Sequence, residues 1–165
     1  VIAASAVNAV PLSGGGSATN LNTMPGDPAR GQNGNYFAID EHGLNTLGPK
    51  LIAGRNFRTE DILPSPASIS AYQSPQIIVT KPFADALFPK GDALGKTVYD
   101  VDDRPTTIIG IVDNMLGSWV SQDHPEWVYF VPRLPAGPAV RYMVRAQPGQ
   151  RHLGRRVHDP RSALI

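Results

Sequence analysis

The chain has 165 residues, long enough to fold around a core without disulfides or a structural metal, and its 41% hydrophobic and 18% charged residues place it among folded chains rather than disordered ones. A formal net charge of +1 gives no bulk attraction to nucleic acid or to an anionic membrane surface. The absence of cysteine removes thiol catalysis and thiolate zinc sites, and it is compatible with an oxidising compartment.

Gly and Pro number 16 each, which predicts many turns between short elements. Residues 1–12, VIAASAVNAVPL, are rich in Val and Ala and predict a strand that Pro11 closes. The chain starts at Val1-Ile2-Ala3-Ala4, without an initiator Met or a basic leader, and is expected to be a piece of a longer protein. No run in it approaches the ~20 apolar residues of a helical membrane span. Residues 13–35 are rich in Gly, Asn, Ser and Pro and predict a long turn region with room for one short strand. Tyr36 to Ile39 can form a strand, and Glu41 to Leu47 a helical turn stopped by Gly48-Pro49. Thr59-Glu60-Asp61 suits the opening of another short helix. Residues 62–76 hold three Pro and several Ser and predict a surface loop. Gln76 to Val79 reads as a strand. Thr80 is then the expected N-cap of a helix with Pro82 in its first turn and an apolar face of Phe83, Leu87 and Phe88. Lys96 to Val101 and Thr106 to Val112 are two β-rich runs around a hairpin signal at Asp102-Asp103-Arg104-Pro105. Trp127 to Val131 and Ala139 to Ala146 predict further strands. Leu153 to Leu164 is weakly helical, with Pro160 interrupting it. The mixture of short strands and short helices predicts an α+β fold.

The candidate chemistry is thin. Gly95-Lys96-Thr97 has the ending of a phosphate-binding loop, G-x-x-x-x-G-K-[ST]. The first Gly of that pattern should stand where Lys90 does, and Gly91 is one place late. The loop should also follow a strand and open a helix, whereas here a helix precedes and a strand follows, so no nucleotide binding is expected. Asp100, Asp102 and Asp103 lack the Gly and Glu that a calcium loop needs, since those places hold Pro105 and Ile111. They read as a solvated hairpin tip. His42, His124, His152 and His158 show no metal-binding spacing, and no G-x-S-x-G nucleophile elbow occurs. Trp119, Trp127, Tyr129 and Phe130 form the densest aromatic cluster, either core or a partner-contact surface. Arg141, Arg145, Arg151, Arg155, Arg156 and Arg161 cluster late and read as a solvated face rather than a phosphate patch. No catalytic, cofactor-binding or metal-ligating residue is assigned, and no cofactor.

Five stretches in order carry a family resemblance. LGPKLIAGRNFRTED (Leu47 to Asp61) resembles the L-G-x-x-L-x-x-G-R-x-F-x-x-x-D stretch of MacB-type, FtsX-like ABC transporter permeases. QIIVTKPFADALFPKGDALGKTV (Gln76 to Val98) is similar to their strand followed by x-x-F-A-x-x-L-F-P-x-x-D-x-x-G-K-x-[IV]. TTIIGIVDN (Thr106 to Asn114), EWVYFVP (Glu126 to Pro132) and AVRYMVRA (Ala139 to Ala146) resemble the strands that come next. The motif residues read as structural. Gly48 and Gly54 permit tight turns, Arg55 can bond carbonyls or a carboxylate, Gly95 ends the helical segment, and Gly110 allows close approach or a bulge. The first 35 residues match only through the apolar strand and Pro11-Leu12.

The resemblance implies a periplasmic region between the first two membrane helices of a permease, on the periplasmic side of the inner membrane. It implies a porter-like βαβ part, residues 1–35 plus 136–165, and an inserted small α/β part, residues 36–135. The implied partners are the rest of the permease with its membrane helices and an ABC ATPase subunit or domain, with a second permease copy and a periplasmic adaptor as further candidates, and no nucleic acid. The implied function is non-catalytic: coupling ATP-driven motion to the handling of a substrate or partner. Two alternatives stay open. One is an extracytoplasmic module that binds or senses a peptide, lipid or lipoprotein, which an exposed apolar groove favours. The other is a hydrolase built from scattered Asp and His residues, which a cleft with perturbed carboxylates favours.

Overall fold

A computed structural model describes residues 1–26, 31–64, 74–135 and 140–149. The described elements are β1 (Ala3–Val7), β2 (Ser17–Leu21), β3 (Gln32–Ile39), α1 (Gly43–Leu47), β4 (Leu51–Gly54), a 3-10 turn (Thr59–Asp61), β5 (Gln76–Thr80), α2 (Lys81–Leu87), β6 (Thr97–Tyr99), β7 (Pro105–Val112), β8 (Val128–Pro132) and β9 (Arg141–Arg145). The fold is α+β, as the pattern of short elements predicts. The weakly helical reading of Leu153 to Leu164 lies outside the described residues, as does much of the loop at 62–76.

Seven strands form one mixed sheet in the order β2-β3-β8-β5-β7-β4, with β6 also on β7. β3 runs parallel to β8, and β5 parallel to β7. The remaining pairs are antiparallel, and β6 and β4 take the first and second halves of one edge of β7. β2 comes from the turn-rich stretch with room for one short strand, and it pairs with β3 from Ser17 opposite Tyr36 to Leu21 opposite Gln32. β1 and β9 form a separate antiparallel ribbon, from Ala3 opposite Arg145 to Val7 opposite Arg141.

The alternation of strand side chains assigns two cores. Tyr36, Ala38, Ile77, Val79, Tyr129 and Val131 point to the face that α2 covers with Phe83, Ala84 and Leu87. Phe37, Ile39, Ile78, Val128 and Phe130 point to the other face, which Val7 and Ala9 beside the ribbon and Leu44 of α1 cover. β7 breaks the period. Ile77 pairs with Ile108, but Ile78 pairs with Gly110, so Ile109 is an extra residue. The bulge resets the register, and Ile108 and Ile111, three apart, both reach the α2 face.

Thr80 holds the N-cap position of α2 but does not cap it. Its hydroxyl donates to the Glu126 carbonyl at 2.7 Å and accepts from the Val128 amide at 3.2 Å. The side chain is fully buried between β5 and β8, where a strand-to-strand bond satisfies it better than the helix end would. The apolar helix face is Phe83, Ala84 and Leu87, with Phe88 partly buried beside it. Gly95 does not end that helix, which stops at Leu87; it lies in the following turn at φ 78°, its amide donating to the Ile108 carbonyl.

Candidate functional site

The residues of the five resembling stretches close the scaffold. Arg55 follows β4 and donates to both oxygens of Asp61, at 2.6 and 3.3 Å, to the Asn56 carbonyl at 3.0 Å and to Gln76 Oε1 at 2.9 Å. One guanidinium fork thus ties β4, the 3-10 turn and the start of β5. It holds the Asp61 carboxyl below the ordinary carboxylate value, mainly by that side-chain hydrogen bond. Gly54 and Gly110 face each other across β4 and β7. A Cβ on Gly54 would lie 2.2 Å from the Ile109 carbonyl oxygen, and one on Gly110 would lie 2.6 Å from the Arg55 carbonyl oxygen. Both backbones therefore need glycine to approach this closely. Asp113, after β7, accepts the Lys50 amide at 2.8 Å and the Asn114 amide at 2.7 Å, bonds that hold its carboxyl low.

The site that remains is a cleft of about 660 Å³ on the α2 face of the sheet, with lining residues from β2, β3, β8, β5 and β7. Leu21, Tyr36, Ile77, Tyr129 and Val131 supply its apolar surface, and Trp119 adds to it from the loop after β7. The strand residues are the rigid core itself. Two loops complete the walls. The β6–β7 hairpin is shaped by Asp100, whose Oδ1 accepts the amides of Asp102 at 2.9 Å and Arg104 at 3.0 Å. Asp103 sits in the left-handed region at φ 58°. The loop carrying Trp119 is fixed by Leu12 and Gly14 amides to the Gly117 and Ser118 carbonyls, and by Asn35 Nδ2 to Gln122 Oε1 at 2.6 Å.

Ser17, Thr19, Ser74, Asp100, Asp102, Arg104, Thr106 and Gln122 are the polar residues at the cleft. Asp102 pairs with Arg104 at 3.5 Å. Burial pushes the Tyr129 phenol well above its ordinary value, with Tyr36 and Asp100 adding to the effect, so the hydroxyl stays protonated. Thr106 Oγ1 is buried at the wall with no hydrogen-bond partner among the described residues. No described group of three or more His, Asp or Glu side chains is placed to hold a metal ion.

The other sequence candidates fall elsewhere. The turn Gly95-Lys96-Thr97 runs into β6, and Lys96 pairs with Asp92 at 3.2 Å, so no helix start faces a phosphate there. His42 lies beside Glu41, while His124 stacks on Trp127 at 3.8 Å and meets Glu126 at 3.2 Å. His152 and His158 lie outside the described residues. The aromatic cluster divides: Tyr129 and Phe130 point to opposite cores, Trp127 stacks on Phe83 at 5.9 Å, and only Trp119 and Tyr129 reach the cleft. Arg145 donates to the Thr46 carbonyl at 3.3 Å, near the end of α1. Arg151, Arg155, Arg156 and Arg161 lie outside the described residues. The cleft itself went unread in the sequence because its walls come from segments as far apart as β2 and β8. The one local signal was the hairpin tip at Asp100 to Arg104.

The motif residues described above serve packing and backbone closure, and the cleft lies on the same sheet. The chain belongs to the MacB-like periplasmic core domain family, whose sequence profile matches residues 1–153. That match takes in the first 35 residues, beyond the five stretches that carry the resemblance. Among solved structures, the periplasmic region of MacB from Actinobacillus actinomycetemcomitans is similar at 16% identity and a TM-score of 0.57, covering 92% of this chain and 62% of that one. The extracellular domain of the noncanonic ABC-type transporter YknZ from Gram-positive bacteria is similar at 18% identity and a TM-score of 0.52, covering 80% of this chain and 55% of that one. A domain of a permease protein from Porphyromonas gingivalis is similar at 18% identity and a TM-score of 0.52, covering 88% and 61%. At these identities the likeness is one of fold, and the chain spans less than two thirds of each of those three chains. No match was found among curated proteins. None of the described helices is long and apolar enough to cross a membrane.

Proposed function

We propose that this domain stands on the periplasmic side of an ABC transporter permease, does no chemistry of its own, and passes ATP-driven motion to a substrate or partner. The observation that carries this reading is the family match over residues 1–153. ATP hydrolysis then belongs to a separate ATPase subunit or domain, and the membrane helices to the rest of the permease. A second permease copy and a periplasmic adaptor are partners of the same proposal. In this proposal the porter-like part, residues 1–35 plus 136–165, holds the β1–β9 ribbon, and the inserted part, residues 36–135, holds most of the seven-stranded sheet; β2 belongs to the first by residue number and is hydrogen-bonded to β3 of that sheet.

The cleft favours a second reading, an extracytoplasmic module that holds a small ligand. The two readings share a compartment, which a labelling experiment tests. The chain has no cysteine, so Ser121→Cys in the exposed loop gives a unique thiol within this domain. In the full-length protein, a membrane-impermeant maleimide should label it in intact spheroplasts. Labelling only after lysis would overturn both readings.

A further inference from the structure

We propose that the cleft beside α2 is a binding site for an uncharged amphiphile, an apolar chain or ring system ending in a hydroxyl. The assignment stands on the cleft alone and does not need the transporter reading. Its volume of about 660 Å³ lies within the range of small-molecule sites, roughly 300–1,000 Å³. Leu21, Ile77 and Val131 give it an aliphatic floor, and Tyr36, Tyr129 and Trp119 give it flat aromatic surfaces. The floor belongs to the buried core, so the surface is already organised and an apolar body can bury against it with little reordering.

The polar groups select the other end of the ligand. Arg104 pairs with Asp102, while Asp100 has only backbone amides as partners among the described residues. Among the described lining residues the cleft therefore carries a net negative edge, which repels a carboxylate or phosphate. Thr106 Oγ1, withdrawn from solvent in the wall with no partner among the described residues, offers both a donor and an acceptor. A ligand hydroxyl seated against that wall meets it once the Thr106 side chain turns toward the cleft. An unmet buried hydroxyl costs stability in the free protein and is regained on binding. This asymmetry gives the site a signature that simple packing lacks.

The test uses the whole chain carrying Trp127→Phe, which leaves Trp119 as the single tryptophan. The probes are 11-bromoundecan-1-ol and 11-bromoundecanoate, whose bromine quenches nearby tryptophan. The alcohol should quench Trp119 saturably at pH 7, and the acid should bind about tenfold more weakly or worse. Thr19→Tyr, on the β2 wall, should abolish the saturable quench. Thr106→Val should weaken alcohol binding by about 2- to 10-fold while leaving the urea midpoint of the free protein equal or higher. If Thr19→Tyr fails to fold, the Thr106→Val comparison decides by itself. Absence of saturable quenching, equal binding of the acid, or a Thr106→Val variant that binds as the parent does would each overturn the proposal. The spheroplast labelling at position 121 is independent of all these outcomes.

Discussion

The seven-stranded sheet and the β1–β9 ribbon both carry apolar residues along their strands, yet they bury those residues differently. In the sheet, β8 is buried along its whole length and β5 over four of its five residues, because α2 covers one face and the ribbon with α1 the other. Among the described residues, only one face of the ribbon is covered. Val7 and Met143 reach the second core, Ser5 donates to Asp40 Oδ1 at 2.7 Å, and Asn8 Oδ1 accepts the Ala38 amide at 2.8 Å. The outer face leaves Ile2 58%, Tyr142 83% and Val144 58% exposed. The sheet carries its own two cores, and the ribbon depends on one of them. Strand propensity alone does not separate the two cases. The number of covered faces does.

Mutations along this contrast should fall steeply in effect. The largest loss is expected at Phe83, fully buried against Trp127 and Tyr129. Phe83→Ala should cost about 3–5 kcal/mol and Leu87→Ala about 2–5 kcal/mol in urea melts. Phe88, only partly buried, should lose less, about 1–2 kcal/mol. Equal losses at Phe83 and Phe88 would mean that the helix face is rotated from its place here.

Next comes the Arg55–Asp61 fork. Asp61→Asn should cost about 1–2 kcal/mol at neutral pH, a modest figure because solvent screens the half-exposed Arg55. Asp61 has its folded pKa held below the ordinary 3.8. Its contribution is therefore complete above that value and is lost as pH falls through the lower folded value. The parent should lose stability on acidification in that window, and Asp61→Asn should show a shallower acid limb. Identical limbs would remove the fork from the account. The smallest effect belongs to the outer ribbon: Tyr142→Ser and Val144→Ser should change stability by about 0.5 kcal/mol or less. A larger loss would show that something in the chain covers that face.

Much of the sheet was legible in the sequence. Ile77-Ile78-Val79, the Thr106 to Val112 run and Trp127 to Val131 announce strands by composition, and the Phe83–Leu87 spacing announces α2 by period. The α+β class follows from those elements. Three things were hidden for physical reasons. Thr80 looks like a helix cap locally, but the Glu126 carbonyl just before β8, 46 residues away, takes its hydroxyl. Ile108 and Ile111 share a face only because of a bulge that the partner strand β5 imposes. The cleft needs β2, the β6–β7 hairpin and the Trp119 loop brought together, and no local pattern encodes that meeting. The resembling stretches led to the family, because order and spacing survive where single residues are uninformative.

The proposed function holds that the sheet part moves as a rigid body under force delivered from the membrane. Spin labels on introduced cysteines test it in the proposed full-length permease reconstituted with the proposed ATPase. One pair, Lys90→Cys with Ser121→Cys, reports inside the sheet part, both positions being exposed. The other pair is Ser121→Cys in each of two permease copies. On trapping the ATP-bound state, the distance between copies should shift by several ångströms while the internal distance stays fixed. An internal distance that changes with ATP, or a distance between copies that never changes, would contradict the account.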